Sequence, residues 1–480
     1  MDGAPGFGRT LVTPAIYNFI DPLIAFSHHL RLHLLAARVR HPHVGVAPSC
    51  PMIRTSHEGP VTDHSIRKAL LAAVESRKDG LIETTQALVR VASPNPPSDT
   101  RAIAPVAEAL LKAIPGAEVR RVESAAGIIN LIARVRAHRP GRRLIFNGHL
   151  DTFPIGEDLG WTVPPLSGLL REGKLYGRGV SDMKGGIACS LLALTVLAER
   201  PETWAGEIVM TLAGDEENMG ALGSGYLLQT EPLASGDANI CGDVGSPQVL
   251  RFGEKGLLWI DIEASGKPAH GAHVHKGVNA IDRLLAALAQ VKRLETLPIT
   301  APAAVTDAIA RAKAISEPLS GVGESETLQR ITVNIGTIAG GVSPNLVPTS
   351  AKASLDIRLP VGVTTADLIA HLKSWLDPLP GISWRVVRDY DPSFTDPGHP
   401  IVRAVAQAAH EVMGAIPALN MRVGASDSRW YRKFGVPTVV YGLTPFNMGG
   451  PDEYVLVDEL VAIAKVHTLA AFDFLQPEPA

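Results

Sequence analysis

Three short apolar runs in this chain each pass through a glycine into acid within a few residues, and that recurrence constrains the fold more than any other feature. Leu144-Ile145-Phe146 runs into Asn147-Gly148-His149-Leu150-Asp151, Glu207 to Ala213 runs into Gly214-Asp215-Glu216-Glu217, and Ala238 to Cys241 runs into Gly242-Asp243. Each has the length and bounds of a buried strand, and open α/β sheets place their ligands at the carboxyl ends of their strands. Another acid, Asp182, sits in the glycine-rich turn Gly177 to Gly186, directly before the helical run Ile187 to Leu197. One His at a strand end, or one Asp before a helix, is ordinarily a packing residue or an N-cap. Here His149, Asp151, Asp182, Glu216, Glu217 and Asp243 converge on one sheet edge, which suits a hard-to-borderline divalent cation. The neighbouring Glu216 and Glu217 point the same way, because buried adjacent carboxylates need a cation or a raised pKa.

The rest of the chain supplies the frame. Ile66 to Val91 reads as helix with a break at Gly80, and Ile103 to Ile114 as a second helix. Glu118 to Val122 and Ile128 to Val135 read as strands. Strand and helix then alternate through Asp243, which argues for an α/β domain with a mostly parallel sheet flanked by helices. After Gly253 the pattern becomes α+β: strands at Leu257 to Ala264, Thr332 to Ile338 and Ala351 to Leu359, with helices at Val278 to Val291 and Thr365 to Leu376. The domains expected are an N-terminal extension over 1–63, sheet-domain parts at 64–256 and 368–480, and an inserted α+β unit at 257–367. The closing strand Thr438 to Tyr441 and helix Val457 to Leu475 return to the first domain.

Composition excludes some functions. A chain of 480 residues with 46% hydrophobic and 19% charged residues and a net charge of −3 carries no field for nucleic acid or an anionic membrane. Three cysteines, Cys50, Cys189 and Cys241, show no metal-type spacing, so a reducing, cytoplasmic setting is expected. Seven of the sixteen histidines fall before Ser65. The apolar run from Ile16 to Val39 is broken by Asp21, Pro22 and Arg31 and is too interrupted to span a membrane. The first 63 residues are expected to be a poorly ordered, dispensable extension, with Met52 as a start; a targeting segment is the alternative.

The blocks NGHLDTFP, GKLYGRGVSDMKGG and GDEENMG closely resemble the signatures of the zinc-dependent amidohydrolases that include acetylornithine deacetylase, succinyl-diaminopimelate desuccinylase, aminoacylase and glutamate carboxypeptidase. The likeness runs from about Ser65 to Leu475. It implies that His149, Asp182, Glu217 and Asp243 are metal ligands with Asp182 bridging two ions, that Asp151 orients His149, and that Glu216 is the general base. Asp243 stands where many relatives carry Glu. The chemistry fits these roles. Paired divalent ions acidify a water and polarise a carbonyl, and the base must sit beside the metals without binding them. The resemblance also implies that the inserted unit supports a homodimer and that His270 reaches the partner's site to stabilise an oxyanion. It places Asn345, Arg358 and Arg429 against the substrate's carboxylate. The substrate class implied is an N-acyl amino acid or small peptide, with zinc, cobalt or manganese as cofactor. Alternatives are a dipeptidase or carboxypeptidase on the same scaffold, or a metal-poor relative that binds without hydrolysing.

One departure stands out. Relatives carry a ligating His shortly before an acidic-aromatic pair near the C-terminus. Here Asp452-Glu453-Tyr454-Val455 is present, yet no histidine lies between His410 and His467. The lost ligand falls between Phe446 and Gly449, so one tightly bound ion is expected and a second that is weak or absent.

Overall fold

The computed structural model describes residues 61–156 and 160–476. The N-terminal extension read from the sequence lies outside the described residues, apart from its last few positions. A nine-stranded sheet forms the centre, in the order Glu118–Ala125, Ile128–Arg136, Glu207–Ala213, Arg143–His149, Ala238–Cys241, Thr438–Val440, Val249–Glu254 and Ser393–Phe394, with Ala418–Arg422 also on Val249–Glu254. Its middle four strands run parallel and the edges turn antiparallel. That is the mostly parallel α/β sheet expected. Register aligns the three acid-tipped strands: His149 lies beside Ala213, and Asn147 beside Cys241. The loops carrying Asp151, Glu216, Glu217 and Asp243 therefore leave the sheet at one edge.

The helix Gly185–Ala198 is buried on every side but two positions, because it is clamped between the sheet and the helix Val457–Phe474. The stretch Val180–Ala198 is long and apolar enough to cross a membrane, but 89% of it is buried inside the fold, as in a core helix. Gly186 allows the helix to begin this close to the sheet, since a Cβ there would sit 1.9 Å from the carbonyl oxygen of Gly242. The turn bearing Asp182 is thereby held against the strand end that bears Asp243. A three-stranded sheet, Tyr454–Leu456, Lys174–Tyr176 and Leu170–Arg171, leads into that turn from outside.

The second unit is a four-stranded antiparallel sheet, Thr332–Gly340, Ser350–Leu359, Gly256–Ser265 and Ile382–Tyr390. Its helices Ala280–Lys292 and Thr365–Leu376 cover one face over a core of its own. Ser350–Leu359 alternates exposed and buried residues, as a sheet with one wet face should. The sheet extends beyond the boundary expected at 367. The helix straddles that position, and Ile382–Tyr390 supplies the fourth strand. Ile-Ser-Trp-Arg-Val-Val-Arg-Asp-Tyr carries charge on its wet face and so lacks the apolar run that marks a buried strand. The first helical segment also breaks elsewhere than expected. Val61–Glu75 and Lys78–Val89 part at Ser76-Arg77, and Gly80 lies inside the second helix.

Candidate metal centre and active site

His149 ends its strand with the ring fully enclosed and its Nε2 3.0 Å from Asp182 Oδ1. Glu217, from the acidic turn after Glu207–Ala213, completes a group whose ligand atoms all lie within 4.8 Å of one another. Three donors of this kind suit a divalent ion. Glu217 Oε1 is buried without a hydrogen-bond partner, an orphan that a cation in this position would satisfy. Burial first, then the charges of Asp182 and Glu216, push the Glu217 carboxyl up to about 10. Burial would lower the His149 pKa, but Asp151 and Asp182 outweigh it and hold the imidazole charged. A divalent ion among these groups would relieve both strains at once.

Asp151 organises the acidic turn. Its carboxylate accepts from the Glu216 amide at 3.1 Å, the Glu217 amide at 3.0 Å and the Asn95 side chain at 2.8 Å. His149 Nδ1 lies 2.9 Å from the Asp151 carbonyl oxygen and 3.6 Å from its carboxylate. Asp151 thus faces His149 with both its carbonyl and its carboxylate, and the carboxylate also ties the histidine's loop to the turn bearing Glu216 and Glu217. Glu216 is buried beside this group, and desolvation, reinforced by Asp427 and Asp243 against His149 and Arg429, raises its pKa well above the carboxylate range. Arg429 Nη1 is 3.9 Å from Glu216, and the guanidinium is fixed by the carbonyls of Ser426 and Met219, each at 2.6 Å. It also lies 4.8 Å from the centre of the Tyr390 ring. Next to this arginine is a cleft of about 770 Å³, lined by Met219, Arg388, Tyr390 and Trp430 among others.

Asp243 does not join the cluster. Its Oδ2 accepts a 2.7 Å ion pair from Arg422 Nη1, and both side chains are largely enclosed. The guanidinium holds one oxygen of this carboxylate, and the ligand atoms that the fold brings together are those of His149, Asp182 and Glu217. His270, Asn345 and Arg358 are also placed away from these contacts. His270 is exposed in its own turn, where its Nδ1 accepts from the Ala272 amide, and Gly271 N donates to the Asn345 carbonyl at 2.7 Å. Arg358 is paired along its strand with Asp356 at 2.8 Å.

Sequence reading missed several supports. Glu453, 1% exposed, accepts from Arg178 at 2.7 Å, from the amides of Gly179 and Ser181, and from the Ser181 hydroxyl at 2.8 Å. It pins the turn that presents Asp182, and its place in the Asp452 to Val455 landmark was the available signal. Asp427, pushed up to about 7 chiefly by burial, accepts from Ser224 and adds its charge to that felt by Glu216. Asn95, Arg422 and Asp427 gave no local signal, because each acts across a long sequence separation.

A buried carboxylate-histidine cluster at the carboxyl ends of parallel strands, with a second carboxylate beside it, defines a metal-dependent hydrolase site. The model of peptidase family M20/M25/M40 matches residues 145–473, and the chain belongs to that family. It is 32% identical over 399 residues to the succinyl-diaminopimelate desuccinylase of Methylorubrum populi, covering 79% of this chain and 95% of that protein. It is 31% identical over 355 residues to the same-named protein of Gluconacetobacter diazotrophicus, covering 72% of this chain and 83% of that one. Among solved structures, an M20 metallo-carboxypeptidase of Sulfolobus solfataricus superposes with a TM-score of 0.69 at 19% identity, covering 82% of this chain and 98% of that one. Human carnosine dipeptidase 1 superposes at 0.67 and 18%, covering 86% and 99%. At those identities the likeness is one of fold. Family and relatives together make this chain a metal-dependent hydrolase of amide bonds.

Proposed function

We propose that this chain hydrolyses the amide of an N-acyl amino acid with a free carboxylate, in the manner of a deacylase. The observation that carries the reading is the grouping of His149, Asp182 and Glu217 with Glu216 buried beside them and outside the ligand set. When bound, a zinc, cobalt or manganese ion supplies the acidity that makes water nucleophilic near neutral pH. Glu216, its proton affinity raised by burial, takes the proton and returns it to the leaving nitrogen. Asp151 holds the base and ligand turn in place, and Glu453 holds Asp182. Arg429, adjacent to the base with donors to spare, receives the substrate carboxylate. The desuccinylase relatives favour an acyl group that is itself a small acid. A cytoplasmic setting accords with Cys189 and Cys241, both buried free thiols.

The second unit is proposed to pair with a second copy. Its edge strand Thr332–Gly340 is exposed along most of its length, with Ile338 55% exposed, and the turn that follows exposes Val342 (92%) and Leu346 (45%). His270 forms a bridge to Leu346 at this edge, so a partner docked there would receive His270 and Asn345.

A dipeptidase or carboxypeptidase is the second reading, favoured by the folds of the structural neighbours. Amine release measured on N-acetyl and N-succinyl amino acids beside dipeptides separates the two. Faster turnover of the acylated substrates is expected; turnover of dipeptides alone would replace the reading with the second.

A further inference from the structure

We infer that Arg422 stands in for a second metal ion, making this a one-metal centre with a built-in guanidinium. The inference rests on the metal reading of the His149 cluster but not on the choice of substrate. Four carboxylates, Asp182, Glu216, Glu217 and Asp243, crowd this sheet edge, and one divalent ion leaves their charge incompletely balanced. Arg422 ends the strand Ala418–Arg422, which runs parallel to Val249–Glu254, and it reaches Asp243 at 2.7 Å with only 17% of its side chain exposed. Burial opposes its charge, but Asp243, Asp182 and Glu254 face it and prevail. Arginine stays protonated and presents five donors in a fixed fork, so it can hold Asp243 permanently where a metal ion would exchange.

The C-terminal loop agrees. The loop Thr444 to Pro451 contains no His, Cys, Asp or Glu. Phe446 is stacked on Tyr454 at 4.7 Å and is unavailable. Gly449 has φ of +73°, its carbonyl accepts from Arg178 at 2.9 Å, and a Cβ there would meet only Phe153 Cδ2, at 3.8 Å. Residue 449 thus has space around it but a left-handed backbone that strains any side chain, and it carries none. A second ion would have lost one ligand to glycine and another to the arginine pair.

The test counts ions, independently of turnover. The full chain is stripped with a chelator and dialysed against cobalt or zinc, and bound metal is measured per chain, with circular dichroism verifying the fold. Wild type is expected to hold one ion tightly. Gly449→His should still hold one, because Asp243 remains with Arg422. Arg422→Ser combined with Gly449→His should hold two, whereas Arg422→Lys combined with Gly449→His should return the count to one, since a cation again occupies Asp243. Two tightly bound ions in wild type, or in Gly449→His alone, would overturn the inference while leaving the hydrolase reading intact. No bound ion in folded wild type would overturn the metal reading of the cluster and this inference together. Should Arg422→Ser fail to fold, the wild-type, Gly449→His and Arg422→Lys counts still decide.

Discussion

Glu216→Gln is expected to lower turnover by roughly 10²–10⁴-fold, the usual contribution of a general acid–base group, while metal content and substrate affinity stay close to wild type. The side chain is outside the ligand group His149, Asp182 and Glu217, and the turn is held through its backbone amide to Asp151. The amide therefore keeps the local structure and removes only the proton-accepting oxygen. Steady-state kinetics beside metal analysis checks this. Near-normal turnover would remove Glu216 from the mechanism, and loss of metal would place it among the ligands.

His270→Ala should cost roughly 10²–10³ in rate, the loss typical of a preorganised oxyanion donor, although His270 has no contact with the cluster in its own chain. In the dimer proposed above, its exposure and its bridge to Leu346 leave it available to the partner. Mixing His270→Ala subunits with Glu216→Gln subunits should restore activity, because one site of each mixed dimer receives an intact base and an intact histidine. With subunit exchange verified, no recovery would place His270 outside the partner's site.

The strands and their acidic tips were legible because each couples a local apolar run to a local turn, as at Leu144 to Asp151 and Glu207 to Glu217. The helix Thr365–Leu376 was legible for the same reason, its Thr364 and Asp367 forming a capping box at its start. The strand Ile382–Tyr390 was not, since its polar face obscures the pattern and only pairing with Gly256–Ser265 defines it. At the site, residue type and position singled out His149, Asp182 and Glu217, and the fold brings their ligand atoms within 4.8 Å of one another. The pairing of Asp243 with Arg422 was not legible, because the two lie 179 residues apart along the chain. The Asp151 carboxylate lies beside His149, as their proximity in sequence suggests, but its bonds to the amides of Glu216 and Glu217, about 65 residues on, had no local signal.

Hydrolysis by metal-stripped protein, before and after metal is returned, tests the central claim most directly. Chelated protein should be folded and inactive on an N-acyl amino acid, and activity should return in proportion to added zinc or cobalt up to about one equivalent per chain. The same titration on Asp182→Asn should restore neither binding nor turnover, because that residue faces His149 and lies in the group with Glu217. Full activity in the stripped protein, or in Asp182→Asn, would contradict the account.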